Sequence, residues 1–301
     1  MRDDAPSRTA QWVAAARGMG RLLPEAVRIA DDPYGLAFAS PRIARLIERT
    51  RDARPDRAQT IARVPGLSPW IAYMQVRTRL IDDAVRAFVA GGGRQVVVLG
   101  AGYDCRALRL PELAGARVLE VDHPATQGHK RAVLDRLAAR SPAHYLAWDF
   151  ETHPMDDLPG ALADAGHDPV APTLTIWEGV TMYLTEAAID ASLRAIASWS
   201  AAGSVLALTY MTRQRLRSSG AIGVMRAVVR GLGEPFRFGW DPDELPGFLA
   251  ARGFALTGDV STADAAYQLL PHDLAAQIVK TDRVAIARRA AQRPARPPGL
   301  R

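Results

Sequence analysis

The stretch Val96-Val97-Val98-Leu99-Gly100-Ala101-Gly102-Tyr103-Asp104 decides the fold. Four consecutive apolar residues, three of them β-branched, predict a strand buried on both faces, as in a parallel sheet covered by helices. The two glycines then let the chain turn sharply and let its backbone approach whatever lies beyond the strand end, where a Cβ would collide. A dinucleotide fingerprint of the form GxGxxG needs a third glycine at 105, and that position is Cys105.

Outward from this run, short apolar segments alternate with helical ones. Strands are expected at Gln95–Leu99, 117–121, 144–148, Thr173–Trp177, 204–210, 254–260 and 283–287. Helices are expected at 76–89, 124–140, with Pro124 as first helical residue, and Glu186–Trp199, with Thr185 as N-cap. Further helical stretches fall at 221–230 and 242–252. The alternation implies an α/β domain with a mostly parallel sheet. We expect an N-terminal helical cap over 1–79, a core over 80–290 with a lid insertion at about 212–240, and a Pro- and Arg-rich flexible tail over 291–301.

Acids mark the ends of the predicted strands. A GxG turn without the third glycine, followed by an acid at the next strand end, fits a nucleoside cofactor lacking a pyrophosphate, of which S-adenosylmethionine is the common one. Asp122 closes the second strand, twenty residues after Gly102, where a carboxylate can accept both ribose hydroxyls. It could also cap the helix that starts at Pro124, a role compatible with the first. Glu120, two residues earlier, is the weaker candidate. Asp149 follows the third strand, placed for an adenine amino group, with Phe150 able to pack on the ring; an exposed loop carboxylate is the alternative. Glu178 ends the fourth strand in the sequence WEG.

One arginine is out of place. At about 100° per residue, Leu80, Ile81, Ala84 and Phe88 share one face of the 76–89 helix, and Arg79, Asp82, Asp83 and Arg86 lie opposite. Arg77 falls inside the apolar stripe, and a buried guanidinium needs an anion. That anion is either an internal acid such as Glu178 or a carboxylate of the cofactor; we favour the second.

Composition narrows the classes of function. The chain has 301 residues, 48% hydrophobic and 23% charged, which excludes global disorder. A net charge of +6 suggests a nucleic-acid partner at first sight, but five arginines and no acid lie in 288–301, leaving little surplus elsewhere. No nucleic-acid or membrane partner is therefore expected. A single cysteine, Cys105, excludes a disulfide framework and a cysteine-based metal site, so no metal is expected. The polar start MRDDAPSRTAQW is unlike a secretory signal, which together with the cysteine count points to the cytoplasm.

Taken together, DPYGLAF (32–38), RTRLIDDAVRAFV (77–89), VVVLGAGYDCRALRL (96–110), VLEVDHP (118–124), WEGVTMYL (177–184) and ARGF (251–254) resemble the leucine carboxyl methyltransferase family, particularly its bacterial branch. The resemblance implies a class I methyltransferase fold, Rossmann-like, with a seven-stranded sheet and a helical lid. It implies roles for Arg77 at the methionine carboxylate of S-adenosyl-L-methionine, Gly100 and Gly102 at the close approach, and Asp122 at the ribose. Asp149 and Phe150 would serve the adenine and Glu178 the methionine amino group. Cys105 departs from the Thr or Ser usual at that place, and the lid does not match closely enough to carry over acceptor contacts.

The expected reaction is O-methyl transfer to a carboxylate of a small molecule or peptide, which is ionised at pH 7 and needs no base. A phenolic or polyketide hydroxyl, a nicotinamide-dependent dehydrogenase and a non-catalytic cofactor-binding protein are the alternatives. His123 and His153 lie nearest the predicted crevice, with capping or surface roles the more ordinary reading. Tyr183 and Tyr210 are candidates for the acceptor pocket, against core packing with their hydroxyls satisfied. Neither a catalytic residue nor an oligomeric state can be named from the sequence.

Overall fold

The stretch around Val96 is the centre of one seven-stranded sheet in the computed structural model, which describes residues 6–41, 44–45, 67–217 and 235–290. The elements in chain order are α1 (Arg8–Met19), α2 (Leu67–Ala90), β1 (Gln95–Leu99), β2 (Arg117–Asp122), α3 (Pro124–Arg136), β3 (His144–Ala147) and α4 (Leu158–Asp164). They continue with β4 (Thr173–Trp177), α5 (Glu186–Trp199), β5 (Val205–Met211), α6 (Leu245–Ala250), β6 (Phe254–Ser261), α7 (Thr262–Leu269) and β7 (Asp282–Arg289). The expected helix at 221–230 and the tail at 291–301 lie outside the described residues.

The sheet runs β3-β2-β1-β4-β5-β7-β6. β1 pairs in parallel with both β2 and β4, and β4 with β5. β7 is antiparallel to β5 and to β6, with an irregularity between Leu256 and Gly258. The two strands late in the chain therefore form an antiparallel edge. The order reverses between β1 and β4, which is where open α/β sheets bind ligands, beyond the strands' carboxyl ends.

Side chains alternate across the sheet and feed two cores. Val97, Leu99, Leu119, Val121, Leu206 and Leu208 face α4, α5 and α6 through Leu158, Ile189, Leu193, Ile196 and Leu249. Val96, Val98, Val118, Leu174, Ile176 and Ala207 face α2 through Ile81, Val85 and Phe88. Each buried aliphatic side chain of this size stabilises the fold by about 1.5–3 kcal/mol relative to exposure.

Helix limits follow local chemistry. Thr185 Oγ1 accepts the Ala188 N–H at 3.2 Å and starts α5 as expected. Pro124 opens α3, but the helix stops at Arg136 rather than 140, with Ala138 turned to φ +51°. α2 is longer than its amphipathic half and runs unbroken through residues 79 and 80, so no boundary between cap and core falls there. Its stretch 71–78 is buried all round, with Ala72, Met74 and Val76 packed on Ala263 and Ala266 of α7. α1 crosses the turn Gly35–Phe38 in close backbone contact. Among the described residues no helix is long and apolar enough to cross a membrane.

Candidate active site

The GxG turn sits at the switch point with both glycines left-handed, Gly100 at φ +69° and Gly102 at φ +52°. A Cβ on Gly100 would stand 2.6 Å from Val180 Cγ2. The Gly100 and Ala101 N–H groups donate to Val121 O at 2.9 and 3.1 Å, tying the turn to the end of β2. Asp122 completes it: Oδ2 accepts the Gly102 N–H at 2.5 Å and Oδ1 the His123 N–H at 2.7 Å. Burial pushes the Asp122 carboxyl up from its ordinary value, and the two backbone donors only partly offset this. The helix N-cap is His123, not Asp122: its Nδ1 accepts the Ala125 N–H at 3.2 Å.

Arg77 is buried in the apolar stripe, and it is paired. Its Nε donates to Glu178 Oε1 at 2.7 Å, and its guanidinium lies 5.6 Å from the centre of the Tyr73 ring. The internal acid therefore faces the arginine directly in this structure. Arg106, from one helical turn at Arg106–Arg109, donates to Glu178 Oε2 at 2.8 Å and to Asp82 Oδ1 at 2.7 Å, and also pairs with Asp104. Arg109 grips Asp82 with two bonds of 2.7 Å. Arg17 binds Asp32 at 2.9 Å and the Tyr103 carbonyl at 2.5 Å. Asp32 Oδ1 in turn accepts the Tyr34 and Gly35 N–H groups, which gives the DPYG segment its structural purpose.

Four arginines and four carboxylates thus share one buried block behind the turn. Burial alone pushes the Glu178 carboxyl up, but Arg106, Arg77 and Arg17 outweigh it and hold the group at about 2. Isolated, any of these charges would be costly to bury; paired and hydrogen-bonded, they fix the loop that presents Glu178. That loop is further held by the Gly179 N–H, which donates to Thr209 Oγ1 at 2.7 Å.

A cleft of about 920 Å³ opens at the strand ends, within the usual range for small-ligand sites. Arg77, Gly100, Gly102, Asp122, Asp149, Phe150, Glu178 and Tyr183 all line it. Phe150 is 37% exposed at the rim. Asp149 is partly buried, and the Glu151 N–H, at 2.9 Å from its Oδ1, helps hold its carboxyl below the usual range. Tyr183 packs its ring on Phe236, centroids 5.6 Å apart.

Three expectations need correction. Tyr210 does not line the cleft: it is buried in the core, its hydroxyl donates to Asp259 Oδ2 at 2.8 Å, and its ring meets Trp240 edge-on. Asp82 is not on a solvent face but buried, because the Arg106–Arg109 turn packs on that side of α2. Glu120 does not line the cleft and pairs with buried Lys130. Sequence reasoning missed Asp104, Arg106 and the pair Arg215–Asp282. The signal available was a run of charges directly after the GxG turn, which a solvated loop would also show.

The residues fit an S-adenosylmethionine-like ligand on geometry alone. The glycine turn lines the cleft with bare backbone at Gly100 and Gly102, Asp122 stands beside it, and a positive–negative pair, Arg77–Glu178, suits a zwitterionic amino-acid end. The leucine carboxyl methyltransferase family profile matches residues 10–197. The chain belongs to this family. Family relatives include proteins of Frankia alni, 39% identical over 197 residues, and Streptomyces avermitilis, 39% identical over 181 residues; both are named provisionally as S-adenosyl-L-methionine-dependent methyltransferases. The matches cover 64% and 60% of this chain, and the chain spans 66% and 61% of those relatives, under two-thirds of their length. A similarly named Mycolicibacterium gilvum protein is 34% identical over 239 residues, 76% of this chain and 71% of that one.

Two solved structures share the fold. A DUF574-family protein from Streptomyces avermitilis aligns over 91% of this chain and 97% of its own at TM-score 0.55 and 18% identity. A protein from Thermobifida fusca, provisionally titled a methyltransferase, aligns over 96% and 97% at TM-score 0.54 and 19% identity. The architecture is the α/β class I methyltransferase fold.

Proposed function

We propose that the chain is an S-adenosyl-L-methionine-dependent O-methyltransferase whose acceptor is a carboxylate of a small molecule or peptide. The observation that supports this best is that a single cleft gathers all of these groups. Arg77 and Glu178 suit the carboxylate and amino group of a methionine moiety, Asp122 a ribose, and Asp149 with Phe150 an adenine. When bound, the cofactor supplies a sulfonium methyl group that needs no further activation.

What remains for the protein is alignment and exclusion of water, effects that can reach about 7–11 kcal/mol. Glu178, ionised and clamped by Arg77 and Arg106, holds a fixed negative charge for an ammonium group. Asp122, fixed by two backbone donors, offers its remaining acceptor capacity to a diol. Tyr183 and Phe236 form an apolar wall that sheds water from the acceptor side. Neither histidine near the cleft suits the role of base: His123 is engaged as a helix cap, and His153 packs on Trp148 at 4.9 Å. That favours an acceptor already ionised at neutral pH over a hydroxyl, whose proton would have to be removed.

The test is methyl-labelled S-adenosylmethionine offered with a panel of carboxylic acids and phenols, followed by mild alkali. Labelled methanol released by alkali marks a carboxyl ester and is the expected outcome. An alkali-stable product marks a hydroxyl acceptor, and retained cofactor without transfer to any acceptor marks a binding protein without turnover.

A further inference from the structure

The cleft holds a second charged pair that the cofactor reading does not use. Arg215 lies in the helical turn Arg213–Arg217 after β5, and Asp282 opens β7. Both line the cleft, and both are buried, 8% and 5% exposed. The Arg215 guanidinium stands 2.9 Å from the Asp282 carboxylate, and its Nη1 donates to Thr281 Oγ1 at 3.2 Å. Its Nε–H is buried with no hydrogen-bond partner.

A second orphan donor belongs to the same cleft. Trp70 Nε1 is also buried without a partner, and the Trp70 ring stacks on Tyr73 with centroids 5.5 Å apart and planes 27° apart. Burial pushes the Tyr73 hydroxyl up to about 12, and the charges of Asp282, Arg77 and Arg215 act on the same group. Its hydroxyl lies 3.5 Å from Arg77 Nη1. Three buried arginines among the described residues, Arg106, Arg109 and Arg215, keep an N–H without a partner, and of these Arg215 alone lines the cleft, where a ligand can supply the acceptor. Carboxylates suit the planar guanidinium, and flat apolar bodies suit a stacked aromatic wall.

We propose that Arg215 is the anion-binding residue of the acceptor site, and that the acceptor is a carboxylic acid with an aromatic or similarly planar body received by the Trp70–Tyr73 stack. The proposal rests on the methyl-transfer reading only for the word acceptor. Asp282 and Thr281 act as positioning residues that hold the guanidinium in the cleft wall.

The experiment is calorimetric binding of cinnamate and of its uncharged counterpart cinnamamide, with and without saturating S-adenosylhomocysteine. Wild-type protein is expected to bind cinnamate at least tenfold more tightly than the amide. Arg215→Gln is expected to bring the two within twofold of each other while the affinity for S-adenosylhomocysteine stays within twofold of wild type. Because Arg215→Gln leaves Asp282 buried alone, the double variant Arg215→Gln/Asp282→Asn keeps the test valid if the single variant folds poorly, and the same loss of discrimination is expected from it. Equal binding of acid and amide by the wild type, binding of neither, or a tenfold preference that survives in both variants overturns the proposal. Failure of the cofactor reading would show separately, as no binding of S-adenosylhomocysteine by a wild-type protein that still discriminates acid from amide.

Discussion

At the scale of single residues, the site is a set of positions where the sequence departs from what its secondary structure alone would ask for. Gly100 is one: its left-handed backbone and the 2.6 Å approach to Val180 leave no room for a side chain. Gly100→Ala is expected to destabilise the fold by about 1–2 kcal/mol through left-handed strain alone, read as a lower urea midpoint. Val180→Ala in the same chain should relieve the clash and leave that strain; a midpoint equal to wild type in Gly100→Ala would contradict the geometry. Arg77 was legible for a related reason, since a guanidinium in an apolar stripe needs a partner. Its neighbours Asp104 and Arg106 were not legible, because a charge after a turn looks the same in sequence whether buried or solvated. Tyr210 was misjudged because a strand end does not reveal that Asp259 takes its hydroxyl.

At the scale of elements, strand positions were readable to within a residue or two, because four or more apolar residues between turns have few other uses in a chain of this kind. The pairing was less readable. Nothing in the runs near 254 and 283 says that they close the sheet as an antiparallel edge with β7 inside β6. α2 was half seen: its amphipathic half showed a period, but the stretch 71–78 is buried all round and so carries none. The same multiplicity of neighbours explains Asp82, which a two-faced helix would expose. α1 is the element whose role in the site is most easily tested. It contributes Ala10, Val13 and Arg17 to the cleft, and it is seated by a crossing where a Cβ on Gly35 would lie 2.3 Å from Ala14 O. Gly35→Ala therefore meets backbone that cannot yield, and is expected to cost about 1–3 kcal/mol by overpacking. Urea unfolding and cofactor titration should both register the loss, and an unchanged midpoint would mean that α1 does not cross there.

At the scale of the whole molecule, charge matters through its burial more than through its sum. The net +6 that invites a nucleic-acid reading is largely matched by the five arginines at the end of the chain, whereas the arginines that order the fold are neutralised inside it. This interior block has a pH signature. Glu178 is held at about 2 against an ordinary 4.5, so the stability it contributes is fully present above pH 4.5 and is lost as pH falls through about 2. Asp104, held low against its burial by Arg106 and the cations around it, works in the same direction. Thermal melting followed from neutral pH down to about pH 2 should fall most steeply across that window. Glu178→Gln should start from a lower neutral-pH stability and show a shallower acid limb; an acid limb as steep as wild type would remove Glu178 from the block. The most direct test of the central claim, that the switch-point cleft is a cofactor site built on Arg77 and Asp122, is calorimetric titration with S-adenosyl-L-methionine. One-to-one binding by the wild type, weakened at least tenfold in both Arg77→Ala and Asp122→Ala, is the predicted result; no binding by the wild type, or wild-type affinity in both variants, would contradict it.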